Sequence, residues 1–216
     1  MSLYSLKPRF QSLLQPLASA LARRRVSANQ VTLTAALGSL VVGAIVFGLA
    51  STRWIFLLIP IWLFARMALN ALDGMIARDF NQMSKLGAYL NELSDVVSDT
   101  AIYLPFVLIA PFNGYSVAIV IYLCVLSEFA GVLGPTVGAE RRYDGPMGKS
   151  DRALVFGVLG LAVACTTTLP AWLAWLFPVM AVALLITIVN RVRGGLAASR
   201  ATLASLPQSQ RPSSQE

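Results

Sequence analysis

The sequence contains no histidine, which removes two common kinds of active site before any motif is considered. A Ser-His-Asp triad uses an imidazole as its base, and most catalytic zinc sites use imidazole ligands. The two cysteines, Cys124 and Cys165, both lie in apolar runs. We therefore interpret them as small core residues and not as a disulfide or a metal-binding pair.

Charged residues are also scarce, at 12% of the 216 residues, while 56% are hydrophobic and the mean hydropathy is +0.68. A soluble domain of this size needs more polar surface than such a composition supplies. Apolar runs of about 20 residues recur along the chain, and each could cross a bilayer core of roughly 30 Å. The sequence thus predicts an integral membrane protein, whose net charge of +7 indicates attraction to anionic lipid and not to nucleic acid.

Hydropathy and length predict an all-α integral membrane bundle of six transmembrane helices within residues 27–196. Residues 1–26 are predicted to form an amphipathic helix on the membrane surface, because polar residues interrupt their apolar stretch and three arginines end it. The polar residues 197–216, rich in Ser, Gln and Pro, are typical of a disordered tail. The predicted spans are residues 28–50, 54–78, 87–111, 115–137, 150–167 and 171–191.

The basic residues fall almost entirely on one side of these spans. The turns predicted for the opposite side carry a single cation, Arg53. Because loops rich in Lys and Arg stay in the cytoplasm, we expect both termini and the basic loops to be cytoplasmic. The basic residues on that side are Arg23, Arg24, Arg25, Arg78, Lys85, Arg141, Arg142, Lys149, Arg152, Arg191, Arg193 and Arg200.

Polar side chains occur on one face of the second predicted span. Asn70, Asp73 and Ala77 are spaced i, i+3 and i+7, so a helix places them on the same side. Gly74 and Ala77 leave that region without bulk, and Arg78 follows at the cytoplasmic end. The pattern predicts a shallow polar site that opens to the cytoplasm.

The third predicted span has a matching polar face. Gly87, Asn91, Asp95 and Asp99 recur every four residues and therefore also share one side of a helix. A short polar loop joins the second and third spans, so the two helices are antiparallel neighbours whose polar faces can meet. Carboxylate and amide oxygens are the ligands that Mg²⁺ or Mn²⁺ prefers, which predicts metal-assisted chemistry at phosphorus.

Two other interpretations of these acids were weighed. Polar residues can join membrane helices without a catalytic role, but an acid inside a bilayer costs about 2.5–3.5 kcal/mol, and matched acidic faces favour function. A transporter or proton relay would need polar residues that continue across the bilayer. The apolar run after Asp99 supplies none.

The spaced pattern resembles the signature of the CDP-alcohol phosphatidyltransferase family, D-x-x-D-G-x-x-A-R-x(8)-G-x(3)-D-x(3)-D. The resemblance implies an integral membrane phosphotransferase with six transmembrane helices, a surface helix and a cytoplasmic active site. It also implies a homodimer. Within the family, the chain is similar to a subgroup that lies in the inner membrane of Gram-negative bacteria. The residues that carry the pattern are Asp73, Gly74, Ala77, Arg78, Gly87 and Asp95.

The resemblance implies that a phosphatidyl group passes from CDP-diacylglycerol (CDP-DAG) to a polar alcohol with release of CMP, as in phospholipid biosynthesis. Asp95 takes the position of the general base, and Arg78 lies at the edge of the nucleotide. The positions of the metal ligands are Asn70, Asp73, Asn91 and Asp95, and those that make room for the cytidine and ribose are Gly74, Ala77 and Gly87.

Two positions depart from the family pattern. Asn70 and Asn91 stand where the family has aspartate, so each keeps an oxygen ligand but loses a negative charge. The family binds two divalent ions, and here either one or two ions of Mg²⁺ or Mn²⁺ are compatible with the ligands. Asp99 and Glu92 could compensate for the lost charge. An alternative function is a non-catalytic family member that binds a CDP-lipid or metal as a partner or regulator.

Three further charged residues lie outside the motif. Lys149 and Arg152 flank the start of the fifth predicted span, where a helix N-terminus favours anions, and they resemble a family segment that helps form the acceptor pocket. Ordinary cytoplasmic charge explains them equally well. Glu128 is a lone acid in the fourth predicted span, and pairing with Arg66, a place in the pocket and a dimer interface all remain open.

Overall fold

The computed structural model describes residues 6–205, with backbone only at residues 6–9, 203 and 205. The described part contains seven α-helices and no strand, which confirms the all-α prediction. The first five and last eleven residues, which belong to the predicted surface helix and tail, lie outside the described part. The helices are α1 (Leu6–Arg23), α2 (Ala28–Gly48), α3 (Leu58–Asp79), α4 (Lys85–Tyr103), α5 (Gly114–Val132), α6 (Lys149–Cys165) and α7 (Leu176–Ser205).

Four helical segments are long and apolar enough to cross a membrane, where the sequence predicted six spans. Of the described helices that correspond to predicted spans, α4 and α6 do not meet these criteria. Helix α4 carries Lys85 and three acids, while α6 has only 17 residues and begins with charged side chains. The four segments are Ala28–Gly48, Arg53–Asp79, Gly114–Val132 and Ala171–Thr202.

The chain divides into two compact units. The first ends at Ala110 and also includes Val155–Pro170, and the second comprises Pro111–Leu154 and the chain from Ala171 onward. Helix α6 therefore contributes residues to both units. Helix α7 continues to Ser205, so it extends past the boundary with the disordered tail that was predicted at residue 196.

Serine caps mark the starts of two helices of the first unit, α2 and α4. Ser27 Oγ accepts a hydrogen bond from the Gln30 amide at 3.2 Å, and the Gln30 side chain accepts one from the Ser27 amide at 2.8 Å. Such a capping box satisfies amide groups that a helix start leaves without partners. Ser84 caps α4 in a similar way by accepting from the Gly87 amide at 2.9 Å. The starts of α2 and α4 also lie close together, since a Cβ on Gly87 would lie 2.9 Å from Asn29 Oδ1.

Helix α1 packs against α3 on one side only. Ala18 is fully buried among residues of α2 and α3, and Gln15 Nε2 donates to Asp79 Oδ2 at 3.2 Å. On the opposite side, Leu13 and Leu17 are exposed. The helix thus has an apolar face that the described residues do not cover.

Gly43 marks a close approach of α2 to α4. A Cβ at this position would clash with the carbonyl group of Ala101 on α4. We expect Gly43→Ala to lower the free energy of unfolding by about 1–3 kcal/mol, as in other overpacked interiors. Gly48 is the matched control, because nothing lies within 4 Å of a Cβ there. Equal unfolding midpoints for Gly43→Ala and Gly48→Ala in detergent would contradict this packing.

Candidate active site

A cavity of about 350 Å³ lies among α2, α3 and α4 in the first unit. Its lining residues are small or polar apart from Met83, and this volume suits a small ligand. The loop after α3 contributes Gln82 and Met83 to the lining. Seven of the predicted site residues line this cavity: Asn70, Asp73, Gly74, Ala77, Arg78, Gly87 and Asn91.

Asp73 is the acidic residue that α3 contributes to the lining of the cavity. The residue is buried, with 6% of its surface exposed. Its Oδ2 accepts a hydrogen bond from Thr32 Oγ1 of α2 at 2.7 Å. A buried carboxylate needs such a donor, and the bond also fixes the orientation of the Asp73 side chain.

The two motif glycines make room for polar atoms of neighbouring residues. A Cβ on Gly74 would lie 3.2 Å from an Arg78 guanidinium nitrogen, so the Arg78 side chain bends back over Gly74. A Cβ on Gly87 would lie 2.9 Å from Asn29 Oδ1 and 3.1 Å from Ser84 Oγ. The absence of side chains at both positions therefore lets polar groups approach the cavity wall.

Sequence reasoning missed the contribution of α2 to this site. Asn29 and Thr32 both line the cavity, and Thr32 holds Asp73. They are polar residues at i and i+3 at the start of an otherwise apolar helix, directly after the cap at Ser27. That spacing is a usable signal, although many membrane helices begin with polar residues at the interface.

Asp95 lies one helical turn beyond Asn91 and is not part of the cavity lining among the described residues. Its Oδ1 accepts hydrogen bonds from Arg66 Nη2 at 3.0 Å and from Asn70 Nδ2 at 3.3 Å. Arg66 also bonds the Asp95 backbone oxygen at 3.2 Å and contacts Asp99 Oδ1 at 2.5 Å. Asn70 thus connects the cavity to an acidic pair that Arg66 bridges.

The donor set of the cavity fits one hard divalent cation. It combines the Asp73 carboxylate with the amide side chains of Asn70 and Asn91, all of which offer oxygen ligands. No group of three or more acidic, histidine or cysteine side chains in residues 6–205 could hold a metal. Mg²⁺ commonly binds through one or two carboxylates together with substrate phosphates, and Asp73 supplies the first of these.

The second unit contains a separate charged cluster around Glu128 of α5. Glu128 Oε1 accepts from Arg152 Nη2 at 2.8 Å and lies 3.5 Å from Arg191 Nη1, while Oε2 accepts from Arg141 Nη2 at 3.2 Å. Arg152 and Arg191 are almost completely buried, and both also bond Ser127. Glu128 is therefore paired with three arginines of its own unit.

Lys149 and Arg152, which were predicted to bind substrate, have different environments. Arg152 is fully buried and its guanidinium is bound by Glu128 and Ser127. Lys149 is the first residue of α6 and is partly exposed. Asp151 Oδ2 accepts a hydrogen bond from the Gly148 amide at 2.9 Å. An acidic side chain therefore already occupies an amide group at the start of this helix.

The loop between α5 and α6 has its own ion pair. Arg142 Nε and Nη2 donate to the two carboxylate oxygens of Asp144 at 2.8 and 2.9 Å. These hydrogen bonds hold the pKa of the Asp144 carboxyl below its ordinary value. The pair packs beside Gly194 of α7, where a Cβ would lie 2.8 Å from Arg142 Nη2.

Comparison with known proteins identifies a matching family model and two sequence relatives. The family model described as CDP-alcohol phosphatidyltransferase matches residues 25–189, which include the motif on α3 and α4. The inner membrane protein YnbA of Escherichia coli (strain K12) is 48% identical over 199 residues, covering 91% of this chain and 97% of that protein. A phosphatidylinositol phosphate synthase of Streptomyces avermitilis is 28% identical over 202 residues, covering 85% and 78% of the two chains.

The solved structures that share the fold include two of Mycobacterium tuberculosis phosphatidylinositol phosphate synthase (PgsA1). The complex with manganese and citrate has a TM-score of 0.70 at 19% identity and covers 92% of each chain. The structure with CDP-DAG bound has a TM-score of 0.69 at 19% identity, covering 93% of this chain and 98% of that one. The helices described above therefore form a fold that solved structures already show.

Proposed function

The chain belongs to the CDP-alcohol phosphatidyltransferase family, as its motif indicated, and we propose that it moves a phosphatidyl group from CDP-DAG to a polar alcohol. The observation that carries this proposal is the cavity, which collects seven of the predicted site residues from α3 and α4 around Asp73. The solved relative with CDP-DAG bound has the same fold, which supports a CDP-linked lipid as the donor.

The cavity is proposed to bind the nucleotide end of the donor. Gly74, Ala77 and Gly87 leave space for the cytidine and ribose, and Arg78 lies beside Gly74 where it can contact the phosphates. Asn70, Asp73 and Asn91 would hold one Mg²⁺ or Mn²⁺ ion. When bound, such an ion neutralises charge on the diphosphate.

Asp95 is proposed to be the general base, acting on an acceptor held near Asn70. Its carboxylate takes the proton of the acceptor hydroxyl group. The acceptor oxygen then forms a bond to the phosphorus that carries the lipid, and the bond from that phosphorus to the oxygen of CMP breaks. CMP leaves with the electron pair of the broken bond, so charge and atoms balance.

We propose that α4 and α6 complete six membrane crossings, with both termini and the cavity cytoplasmic. The length and apolar composition of the four qualifying segments support a membrane location, as does the inner membrane relative in Escherichia coli. The uncovered apolar face of α1, with Leu13 and Leu17, supports a surface helix embedded in the interface. We also propose a homodimer, for which the family resemblance is the sole support.

The acceptor is proposed to be a polar alcohol, and Lys149 is proposed to contact an anionic group on it. Arg152 could contact such a group only if Glu128 gave up its hydrogen bond, because the guanidinium is otherwise enclosed. An acceptor phosphate would compete with Glu128 for the same arginine. Comparison of phosphorylated and unphosphorylated alcohols therefore belongs in the first assay.

The test is CMP release by the purified full-length protein in lipid, with CDP-DAG, Mg²⁺ or Mn²⁺ and a panel of alcohols with and without phosphate. We expect release that requires both the metal and one class of alcohol. Omission of metal, or addition of a chelator, should remove the activity. Binding of CDP-DAG without release for any alcohol would overturn the transferase proposal and favour a non-catalytic binding protein.

A further inference from the structure

Exposed cations gather at one end of the first unit. They belong to the turn between α1 and α2, the end of α3 and the start of α4. Two candidate membrane segments also meet this end, because one begins at Ala28 and the other ends at Asp79. The apolar part of the helices therefore gives way to water here. The exposed cations are Arg23, Arg24, Arg25, Arg78 and Lys85.

Two contacts hold the turn between α1 and α2 against the loop between α3 and α4. The Ala28 amide, two residues after the turn, donates to Gln82 Oε1 of the loop at 3.0 Å. A Cβ on Gly87 would lie 2.9 Å from Asn29 Oδ1. Cations that are about 60 residues apart in the chain therefore share one end of the same unit.

Few acids balance this positive charge. The first 90 residues contain two acids, the buried Asp73 and the exposed Asp79. Asp79 Oδ2 accepts a hydrogen bond from Gln15 Nε2 at 3.2 Å. The contacts described for residues 10–202 give the three arginines of the turn no acidic partner. Their charge is therefore available to an anionic partner outside the chain.

Large apolar side chains are exposed beside these cations. Phe80, Met83 and Leu86 flank Lys85 along the chain, and Met83 has 75% of its surface exposed. Apolar side chains next to cations fit the boundary of a bilayer, where the apolar groups meet acyl chains and the cations meet phosphates. A soluble polyanion would match the cations but would leave the apolar side chains in water.

Arg25 has a backbone conformation that arginine rarely adopts. Its φ is +61°, in the left-handed region that favours glycine and asparagine after a helix. The helix ending is regular, because the Arg25 amide bonds the Ala22 carbonyl at 2.9 Å and the Val26 amide bonds the Leu21 carbonyl at 3.0 Å. After α3 the left-handed residue is Asn81. Strained residues cluster at functional sites, which favours a binding role for the Arg25 side chain.

We propose that this end of the first unit binds anionic phospholipid, and that Arg25 contacts a headgroup phosphate. A guanidinium can donate two parallel hydrogen bonds to one phosphate, and the neighbouring cations add attraction to the anionic surface. The proposal does not depend on the transfer reaction, because it concerns the surface outside the motif. A lipid that binds the folded protein should also stabilise it.

The test measures the melting temperature of the purified full-length protein in neutral detergent, with phosphatidylglycerol or phosphatidylcholine added at equal mole fraction. We expect phosphatidylglycerol to raise the wild-type melting temperature by about 3–6 °C more than phosphatidylcholine, as a ligand at about ten times its Kd would. Arg24→Gln with Arg25→Gln should lose at least half of this difference. The matched control, Arg193→Gln with Arg200→Gln, removes the same charge from exposed positions of α7 and should keep it.

Arg25→Gly separates lipid binding from support of the fold. Glycine adopts the left-handed conformation without strain, so the melting temperature without lipid should be at least that of wild type. The additional rise with phosphatidylglycerol should nevertheless shrink. A lower melting temperature without lipid, or an undiminished rise with it, would overturn the role of Arg25.

Three other results would overturn the lipid proposal. The first is an unchanged phosphatidylglycerol effect in the Arg24 and Arg25 double variant. The second is an equal loss in the α7 control, which would mean that net charge alone acts. The third is the same rise with sodium phosphate in place of the lipid, which would indicate a site for soluble anions. If the double variant does not fold, Arg25→Gly decides.

Discussion

Replacement of Asp95 by asparagine is expected to lower the rate of CMP release by about 10²–10⁴-fold, the usual contribution of a general base. Asparagine keeps the shape of the side chain and can still accept from Arg66 Nη2, but it cannot take a proton from the acceptor. Because Arg66 also bonds the Asp95 backbone oxygen and Asp99, the local structure should persist. The measurement is the initial rate with saturating CDP-DAG and acceptor.

The matched control for this variant is Asp79→Asn. Asp79 is the last residue of α3 and is exposed, and its described contact is with Gln15 of α1. It therefore makes the same chemical change near the site without entering the proposed machinery. An Asp95→Asn rate within about threefold of the control would show that the proton goes elsewhere, and the base would have to be sought among other residues.

Replacement of Glu128 by glutamine is expected to lower the free energy of unfolding by about 3–5 kcal/mol, the usual cost of removing one partner from a buried ion pair. Glu128 is the carboxylate toward which Arg141, Arg152 and Arg191 converge, and it is 7% exposed. Its loss leaves positive charges in a buried region. The measurement is equilibrium unfolding in mixed micelles.

Two further variants separate the charge effect from general damage. Glu140→Gln removes an exposed acid in the neighbouring loop and should change stability by less than about 0.5 kcal/mol. Adding Arg141→Gln to Glu128→Gln should recover part of the loss, because Arg141 is the most exposed of the three arginines and its removal reduces the uncompensated charge. Equal stability of wild type and Glu128→Gln would mean that the arginines do not depend on this carboxylate.

Local sequence signals were sufficient for the motif part of the site. The spacing of Asn70, Asp73 and Ala77 places them on one face of α3, because helical periodicity depends only on position along the chain. The short loop before Ser84 places α4 next to α3, so Gly87 and Asn91 were expected opposite them. The cavity contains all five of these residues.

The membrane spans show where composition is a weaker guide. Hydropathy predicted six spans, and four segments meet the length and composition criteria for a span. Helix α4 contains the site acids and Lys85, and these charges lower its mean hydropathy. The sixth span was predicted to end near residue 191, and helix α7, which contains most of it, continues to Ser205. Apolar content marks the membrane part of a helix and does not show how far the helix extends into water.

By itself, the sequence determined the all-helical membrane class, the family and the residues of the motif, because these depend on composition and on spacing along one helix. Only the tertiary structure decided which charges meet: Arg66 with Asp95 and Asp99, and Glu128 with three arginines. It also decided that Thr32 holds Asp73. Such pairs join residues far apart in the chain, and their formation depends on how the helices pack and rotate against each other.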